Sequence, residues 1–271
     1  MRPPDPVFAD PRLAALYDVL DDDRCDLDAY VDLADELCAG RVVDIGCGTG
    51  SLAVRLARTG RTVIGVDPAG ASLDIARTKP LAESVTWVQG DATALVGREV
   101  GADLVVMTGN VAQVFVSDAD WSTTLEAVHD CLHLGGWFVF ETRRPEVRDW
   151  EQWHVALTTI DLADGNSVIV GRTVTEVAPP LVTFESQTTV GGQVIASAST
   201  LRFRGRDEIE QDLSEHGFDL VDVRDAPDRP GKELVFLAHR ATGPRRVDAV
   251  RTRSTAGEPS HRVEDVRPHL L

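Results

Sequence analysis

The stretch VVDIGCGTGSLAVRLA, Val42–Ala57, constrains the fold more than any other part of the chain. It joins a short apolar run to an amphipathic run through Gly46, Gly48 and Gly50. Glycine in a strand-to-helix turn permits positive φ and lets the backbone approach another molecule with no Cβ between them. Such a turn also aims backbone N–H groups and a helix N-terminus at that molecule. The segment predicts a buried strand, a ligand-facing turn and a helix, the opening unit of an α/β sheet.

The pattern that follows repeats this unit. Arg41–Ile45, Thr62–Val66, Val85–Val88, Ala102–Met107 and Trp137–Thr142 read as strands. Ser51–Arg58, Ala71–Lys79 and Asp118–Leu134 read as helices between them, the last closed by Gly135-Gly136. Strands apolar on both faces and separated by helices imply a parallel sheet covered on both sides. Ahead of them, Asp10–Leu20 and Asp26–Cys38 carry helical spacing with an Asp near each start as a cap. After Pro145 the rhythm becomes period two, and VTFESQTTVGGQVIASASTLRF reads as an antiparallel hairpin with a Gly-Gly turn. Arg206–His216 is a helix ended by Gly217, with Phe218–Val223 and Glu233–Ala238 as closing strands. The expected organisation is a helical lid over 1–40, a cofactor-binding α/β core over 41–150 and a β cap insertion over 151–204. The core ends over 205–240, and an aperiodic tail, expected to be disordered, covers 241–271.

Bulk properties narrow the function. The 271 residues can bury a large core, and the formal net charge is −17. From Arg240 onward seven Arg stand against four acids, so the preceding part lies near −20. Such a surface repels phosphate backbones and anionic membranes, so neither nucleic acid nor a membrane is an expected partner. Cys25, Cys38, Cys47 and Cys131 are scattered, without a CxxC pair or a His cluster, which argues against a metal site and for a reducing cytoplasm. No signal-like apolar core opens the sequence, and no run reaches membrane-span length.

Asp67 ends the second strand, where an acid accepts hydrogen bonds from both hydroxyls of a ribose. A bland alternative has Asp67, ahead of Pro68, capping the next helix. A dinucleotide fingerprint needs G-x-G-x-x-G, whereas position 51 is Ser. Asp44, just before the glycines, would oppose a pyrophosphate but suits a ligand with an ammonium group. S-adenosylmethionine answers that description.

On these residues the sequence resembles the class I S-adenosylmethionine-dependent methyltransferases of small-molecule type. VVDIGCGTG resembles their first motif, GVDP the second, QGDA (Gln89–Ala92) the acidic motif after the third strand, ADLVVMTGN (Ala102–Asn110) the fourth and LGGWFVFET (Leu134–Thr142) the fifth. The resemblance implies a doubly wound, seven-stranded, mostly parallel Rossmann-like sheet with an N-terminal helical lid and an antiparallel β cap insertion. It implies that Gly46, Cys47 and Gly48 line the amino-acid arm of the cofactor, with Asp44 orienting the loop or the ammonium. Asp67 and Pro68 would hold the ribose, Asp91 and the Ala92 N–H the adenine edge, and Thr108 to Asn110 the cofactor flank. Tyr17 or Tyr30 would close over the methionine end. Substrate-side candidates are Glu141, Arg143 and His154 for catalysis, and Gln113, Phe115, Trp150 and Trp153 for the pocket. The implied reaction is methyl transfer to N or O of a small molecule, releasing S-adenosylhomocysteine, with a homodimer through the cap as a further expectation. The alternatives are a non-catalytic S-adenosylmethionine-binding regulator or scaffold, and a nicotinamide-dependent oxidoreductase.

Overall fold

The glycine turn lies at the carboxyl end of the first strand of a seven-stranded sheet in the computed structural model, which describes residues 3–21 and 24–242. In chain order the strands are β1 (Arg41–Ile45), β2 (Thr62–Asp67), β3 (Val85–Gln89), β4 (Ala102–Met107), β5 (Leu132–Arg143), β6 (Val155–Asp161), β7 (Ser167–Ala178), β8 (Leu181–Val190), β9 (Gln193–Arg202), β10 (Phe218–Asp225) and β11 (Glu233–Arg240). The helices are α1 (Pro6–Ala9), α2 (Pro11–Leu20), α3 (Asp28–Glu36), α4 (Ser51–Arg58), α5 (Gly70–Ala76), α6 (Asp118–Cys131) and α7 (Arg206–Glu215). The large sheet runs β10-β11-β5-β4-β1-β2-β3, with β11 alone antiparallel to its neighbours.

The expected sheet follows from side chains alternating between two faces. Val43, Ile45, Val105, Met107, Phe138 and Phe140 point into one apolar layer, filled by Trp121, Leu125 and Val128 of α6 and by Ile209 and Leu213 of α7. Val42, Val63, Leu104, Val106, Val139 and Leu237 point into the other, filled by Tyr30, Leu33 and Ala34 of α3 and by Leu52 and Leu56 of α4. Of the helices before β1, α3 is therefore a layer of the core, and α1 and α2 overlie the carboxyl ends of the strands. Asp10 separates these two and caps α2 by accepting from the Arg12 N–H.

Three expectations are corrected. The helix α5 ends at Ala76, not Lys79, where the chain turns. The helix α3 begins at Asp28 without a side-chain cap, since Asp26 pairs with Arg24 instead. The long helix before β5 also stops early. The helix α6 ends at Cys131, not Leu134, because Leu132 leaves helical geometry and pairs with Ala102 of β4. Leu132 is buried there, whereas Leu134 is 64% exposed. Gly135-Gly136 forms an irregularity inside β5, where the register shifts from Ala102↔Leu132 to Leu104↔Trp137. A Cβ at Gly136 would stand 2.8 Å from the Ala102 carbonyl oxygen.

The second sheet, β6-β7-β8-β9, is antiparallel and enters the chain between β5 and α7. The β8–β9 hairpin turns on Gly191 and Gly192, both at positive φ (56° and 76°), as a two-residue primed turn requires. Arg202, at the end of β9, and Arg204, just past it, return the chain to the core. The expectation for the 241–271 tail concerns residues that, from 243 on, lie outside the described ones.

Phe140 is fully buried, stacked on Phe138 (ring centroids 4.6 Å apart) and Phe236 (5.2 Å). Truncation there leaves a cavity between the two halves of the sheet. Phe140→Ala is expected to lower unfolding free energy by about 3–5 kcal/mol in urea denaturation, and a loss below about 1 kcal/mol would contradict this packing.

Candidate functional site

The order of the large sheet reverses between β1 and β4. The chain moves outward from β1 through β2 to β3, then returns to β4 on the other side of β1. At such a switch point the loops after the two strands diverge and leave a crevice at their carboxyl ends. Here the loops are Gly46–Gly50 and Thr108–Asn110, and the crevice is a cavity of about 360 Å³, within the range of small-ligand sites.

The glycine loop is held by the strand beside it. The Gly46 and Cys47 N–H groups donate to the Val66 carbonyl (2.8 and 3.1 Å). The Asp67 carboxylate accepts from the Gly48 N–H and the Ala69 N–H, both at 2.8 Å. The three glycines have different reasons to lack a side chain. A Cβ on Gly46 would meet Val111 at 2.4 Å and one on Gly50 would meet the Trp87 ring at 2.5 Å, so these two serve packing. Gly48, at φ +53°, has nothing within 4 Å of its Cβ position and borders the cavity.

Asp44 reaches this cavity from β1 at 1% exposure. Neither carboxylate oxygen has a partner within hydrogen-bond geometry among the described residues, and the Ala53 N–H at the start of α4 favours its ionised form only weakly. Burial, with the Asp67 charge second, pushes its carboxyl up to about 7. Asp67 is also raised, chiefly by burial, and burial next to both carboxylates raises the Cys47 thiol. Arg24, which lines the same cavity, is the cation that bears on Asp44.

Polar contacts latch the N-terminal segment over the cavity. Ser199 of β9 donates to Asp5 (2.5 Å), the Val7 N–H to Ser197 (3.3 Å), and Ser72 of α5 to the Phe8 carbonyl (3.0 Å). On α2, Asp18 accepts from Thr49 just before α4 (2.7 Å) and pairs with Lys79 past α5 (2.8 Å). Phe8 and Tyr17 face each other at 6.0 Å and line the cavity beneath.

A second cavity, about 460 Å³, adjoins the first under the antiparallel sheet. Tyr17, Arg24 and Gly109 line both. Its wall carries Asn110, Glu141, Arg143, Trp153, His154 and Phe184. Arg143 lies over the Trp153 ring (5.1 Å), donates to Gln113 (2.9 Å) and stands 3.5 Å from Glu233. Glu141, 7% exposed, accepts from the Gly109 N–H (2.5 Å), the Asn110 N–H (3.2 Å) and the Tyr30 hydroxyl. Burial, then the Glu233 charge, pushes Glu141 up to about 7.

Of the residues expected for the cofactor, Asp44, Gly46, Cys47, Gly48, Asp67, Pro68, Asp91, Thr108 and Tyr17 line the first cavity, as does Phe115. Asp91 also accepts from the Thr93 N–H (2.9 Å), so its side chain caps the turn after β3 while bordering the cavity. Ala92 is fully buried behind it and lines neither cavity. Asn110 faces the second cavity instead of the first, because its amide Nδ2 is drawn to Glu233 (3.1 Å). Tyr30 lines neither, since α3 packs it against the sheet with its hydroxyl on Glu141. Gln113 is fully buried and braces Arg143 against the Arg202 carbonyl. Trp150 belongs to the small core of the second sheet, edge-on to Phe203 at 4.5 Å. Trp153, His154, Arg143 and Glu141 do share the second cavity. Sequence reading missed Arg24, Phe8 and Asp18; Arg24 had a signal, as the one basic residue between Arg12 and Arg41. Among the described residues no cluster of three or more His, Cys, Asp or Glu side chains is placed to hold a metal, and no helix is long and apolar enough to cross a membrane.

Residues 42–136 match the family model described as a methyltransferase domain. The chain is 32% identical over 124 residues to the ubiquinone biosynthesis O-methyltransferase of Burkholderia pseudomallei (strain 1710b), covering 45% of this chain and 52% of that protein. It spans about half the length of the curated relatives it matches. The crystal structure of an S-adenosylmethionine-dependent methyltransferase from Clostridium acetobutylicum superposes with a TM-score of 0.70 at 17% identity, over 85% of this chain and 98% of that one. The sugar N-methyltransferase KedS8 from Streptoalloteichus sp. superposes with a TM-score of 0.69 at 17% identity, over 83% and 92%. These likenesses show the Rossmann-like fold of S-adenosylmethionine-dependent methyltransferases, with the antiparallel four-stranded insertion.

The raised Asp44 carboxyl carries a pH signature. Its contribution to ligand-free stability is complete below the ordinary Asp value near 3.8 and is lost progressively as pH rises to about 7. Asp44→Asn removes that loss. The variant is expected to melt several degrees above the wild type at pH 8, with the gain shrinking toward pH 4.5 in calorimetric scans. A gain of the same size at both pH values would contradict a buried, neutralised Asp44.

Proposed function

We propose that this chain, built on a methyltransferase domain over residues 42–136, transfers a methyl group from S-adenosylmethionine to N or O of a small molecule. The observation that carries the reading is the unpartnered Asp44 carboxylate facing the cavity beside Gly48 and Asp67. A buried carboxylate without a donor costs several kcal/mol as an ion, so the site fits a ligand bringing a cation with N–H donors. The amino-acid end of S-adenosylmethionine brings an ammonium for Asp44 and a carboxylate for Arg24. Asp67 spends one hydrogen bond per oxygen on the loop backbone, and each oxygen keeps a lone pair for a ribose hydroxyl. Gly48 leaves room for the arm between them. The same buried acid would oppose the pyrophosphate of a nicotinamide cofactor.

Bound there, S-adenosylmethionine supplies an electrophilic methyl on a sulfonium sulfur. The chain's own work is positioning and exclusion of water, where orientation contributes on the order of 7–11 kcal/mol. The α1–α2 segment roofs the donor through Phe8 and Tyr17, and the second cavity presents an acceptor across Gly109. Trp153 and Phe184 wall that cavity with Arg143 and Arg172 over their rings (both 5.1 Å), and this mixed charge suits a polar small molecule. The strongly acidic surface speaks against nucleic acid, and the scattered cysteines suit the cytoplasm. The proposal extends to a homodimer through the second sheet, whose strands expose Leu157, Val177 and Val194.

Calorimetric titration with S-adenosylhomocysteine is expected to give one site per chain, and NAD none. Each hydrogen bond to a charged group is worth about 1.5–3 kcal/mol, so Asp67→Ala is expected to weaken S-adenosylhomocysteine by at least about 100-fold. A folded wild-type protein that binds NAD but not S-adenosylhomocysteine would sink the proposal.

A further inference from the structure

Glu141 and Asn110 meet on the wall of the second cavity, next to the Gly109 backbone that borders both cavities. Glu141 and the Asn110 Oδ1 each keep an unused hydrogen-bond acceptor. Glu141 has four lone-pair positions and receives three donors, all neutral: two backbone N–H groups and the Tyr30 hydroxyl. Asn110 gives one of its two Nδ2 hydrogens to Glu233 (3.1 Å), and its Oδ1, buried, has no partner among the described residues. No cation is among the hydrogen-bond partners of Glu141, because Arg229 donates to Glu233 (2.6 Å) and Arg143 also leans toward Glu233. A single ligand group that completes this wall must bring at least two donors, and a positive charge on it would favour the ionised Glu141. A hydroxyl brings one donor and no charge.

We propose that the methyl acceptor is an amine, bound as its ammonium between Glu141 and Asn110, and that Glu141 takes the proton that frees its lone pair. This choice of N over O rests on the methyltransferase reading above. The ammonium gives one proton to the Glu141 carboxylate, leaving a neutral amine and a carboxylic acid. The nitrogen lone pair then forms the N–C bond to the methyl carbon as the C–S bond breaks, its electron pair staying on sulfur. The products are an N-methylammonium and a neutral thioether, so charge and atoms balance. The groups that set the proton affinity of Glu141 face it from α3, the loop after β4, β5, β11 and the loop before β11. Tyr30 on α3 and the Gly109 and Asn110 N–H groups after β4 favour its ionised form. Glu233 on β11 and Asp228 in the preceding loop oppose it, while Arg143 on β5 and Arg229 favour it. The balance at about 7 makes Glu141 a base near neutral pH.

The test is calorimetric titration of the full chain saturated with S-adenosylhomocysteine, using two matched pairs: 2-phenylethylamine against 2-phenylethanol, and glucosamine against glucose. In at least one pair the amine is expected to bind ten-fold or more tightly than the alcohol. Its affinity is expected to rise as pH increases through about 7, where Glu141 ionises. Glu141→Gln, which still offers an acceptor to the two backbone N–H groups, is expected to abolish both the preference and the pH rise. Tyr30→Phe removes one donor to the ionised form, so the midpoint of the rise is expected to move to higher pH. An alcohol binding as well as its amine in both pairs, no binding by either amine, or an amine affinity flat from pH 5.5 to 8.5 each overturns the proposal. Failure of S-adenosylhomocysteine to bind the wild type would instead overturn the methyltransferase reading.

Discussion

Burying Asp44 without a hydrogen-bond partner is the constraint around which the cavity is organised. The carboxylate sits on the strand beside the switch point, where the sheet order leaves a crevice whatever the side chains are. A fold gains nothing by placing an acid there, since an apolar residue on β1 would continue the layer formed by Val42 and Val106. Under the proposed reading the acid receives a ligand cation, and the neighbouring backbone leaves room for one. Asp67 ties Gly48 to Ala69, Val66 ties Gly46 and Cys47, and Val111 and Trp87 fill the space that side chains at Gly46 and Gly50 would need. The loop is thus rigid on three sides and open on the fourth.

The second cavity is built differently, by cross-bracing between the inserted sheet and the loop after β4. Arg204, past the end of β9, donates to the carbonyls of Ala112, Phe115 and Ser117 and lies over the Trp121 ring at 5.0 Å. Arg202 donates to the Val116 carbonyl and pairs with Asp118 and Glu208. Gln113 joins Arg143 to the Arg202 carbonyl. The segment 108–117, which borders both cavities, is therefore fixed by charged side chains delivered from the insertion. Loop position and cap position are coupled through these carbonyl contacts, and replacing the insertion alone is expected to loosen the first cavity as well.

The large sheet was legible because each strand is a short run apolar on both faces and each turn carries its own glycine or cap. The residues of the glycine motif and Asp67 were legible as cavity-lining because their spacing reports backbone geometry. Side chains whose role depends on a distant partner were not. Tyr30 reads as a lid residue on an amphipathic helix, yet its phase on α3 turns it toward the sheet and onto Glu141, far along the chain. Gln113 and Trp150 look like pocket residues by type and position, but Arg143 and Phe203 hold them inside the packing. The Gly135-Gly136 pair reads as a helix stop and serves as a strand irregularity, because the pairing of Leu132 with Ala102 is invisible in local sequence. Arg24 was visible only as an isolated base in an acidic stretch.

The most direct measurement is a crystal structure of the chain with S-adenosylhomocysteine bound. The ribose hydroxyls are expected on the two oxygens of Asp67, with the amino-acid ammonium donating to Asp44 and its carboxylate facing Arg24. A ligand seated elsewhere, or seated in the cavity with Asp44 still lacking a donor, would contradict the claim that this buried acid exists to receive it.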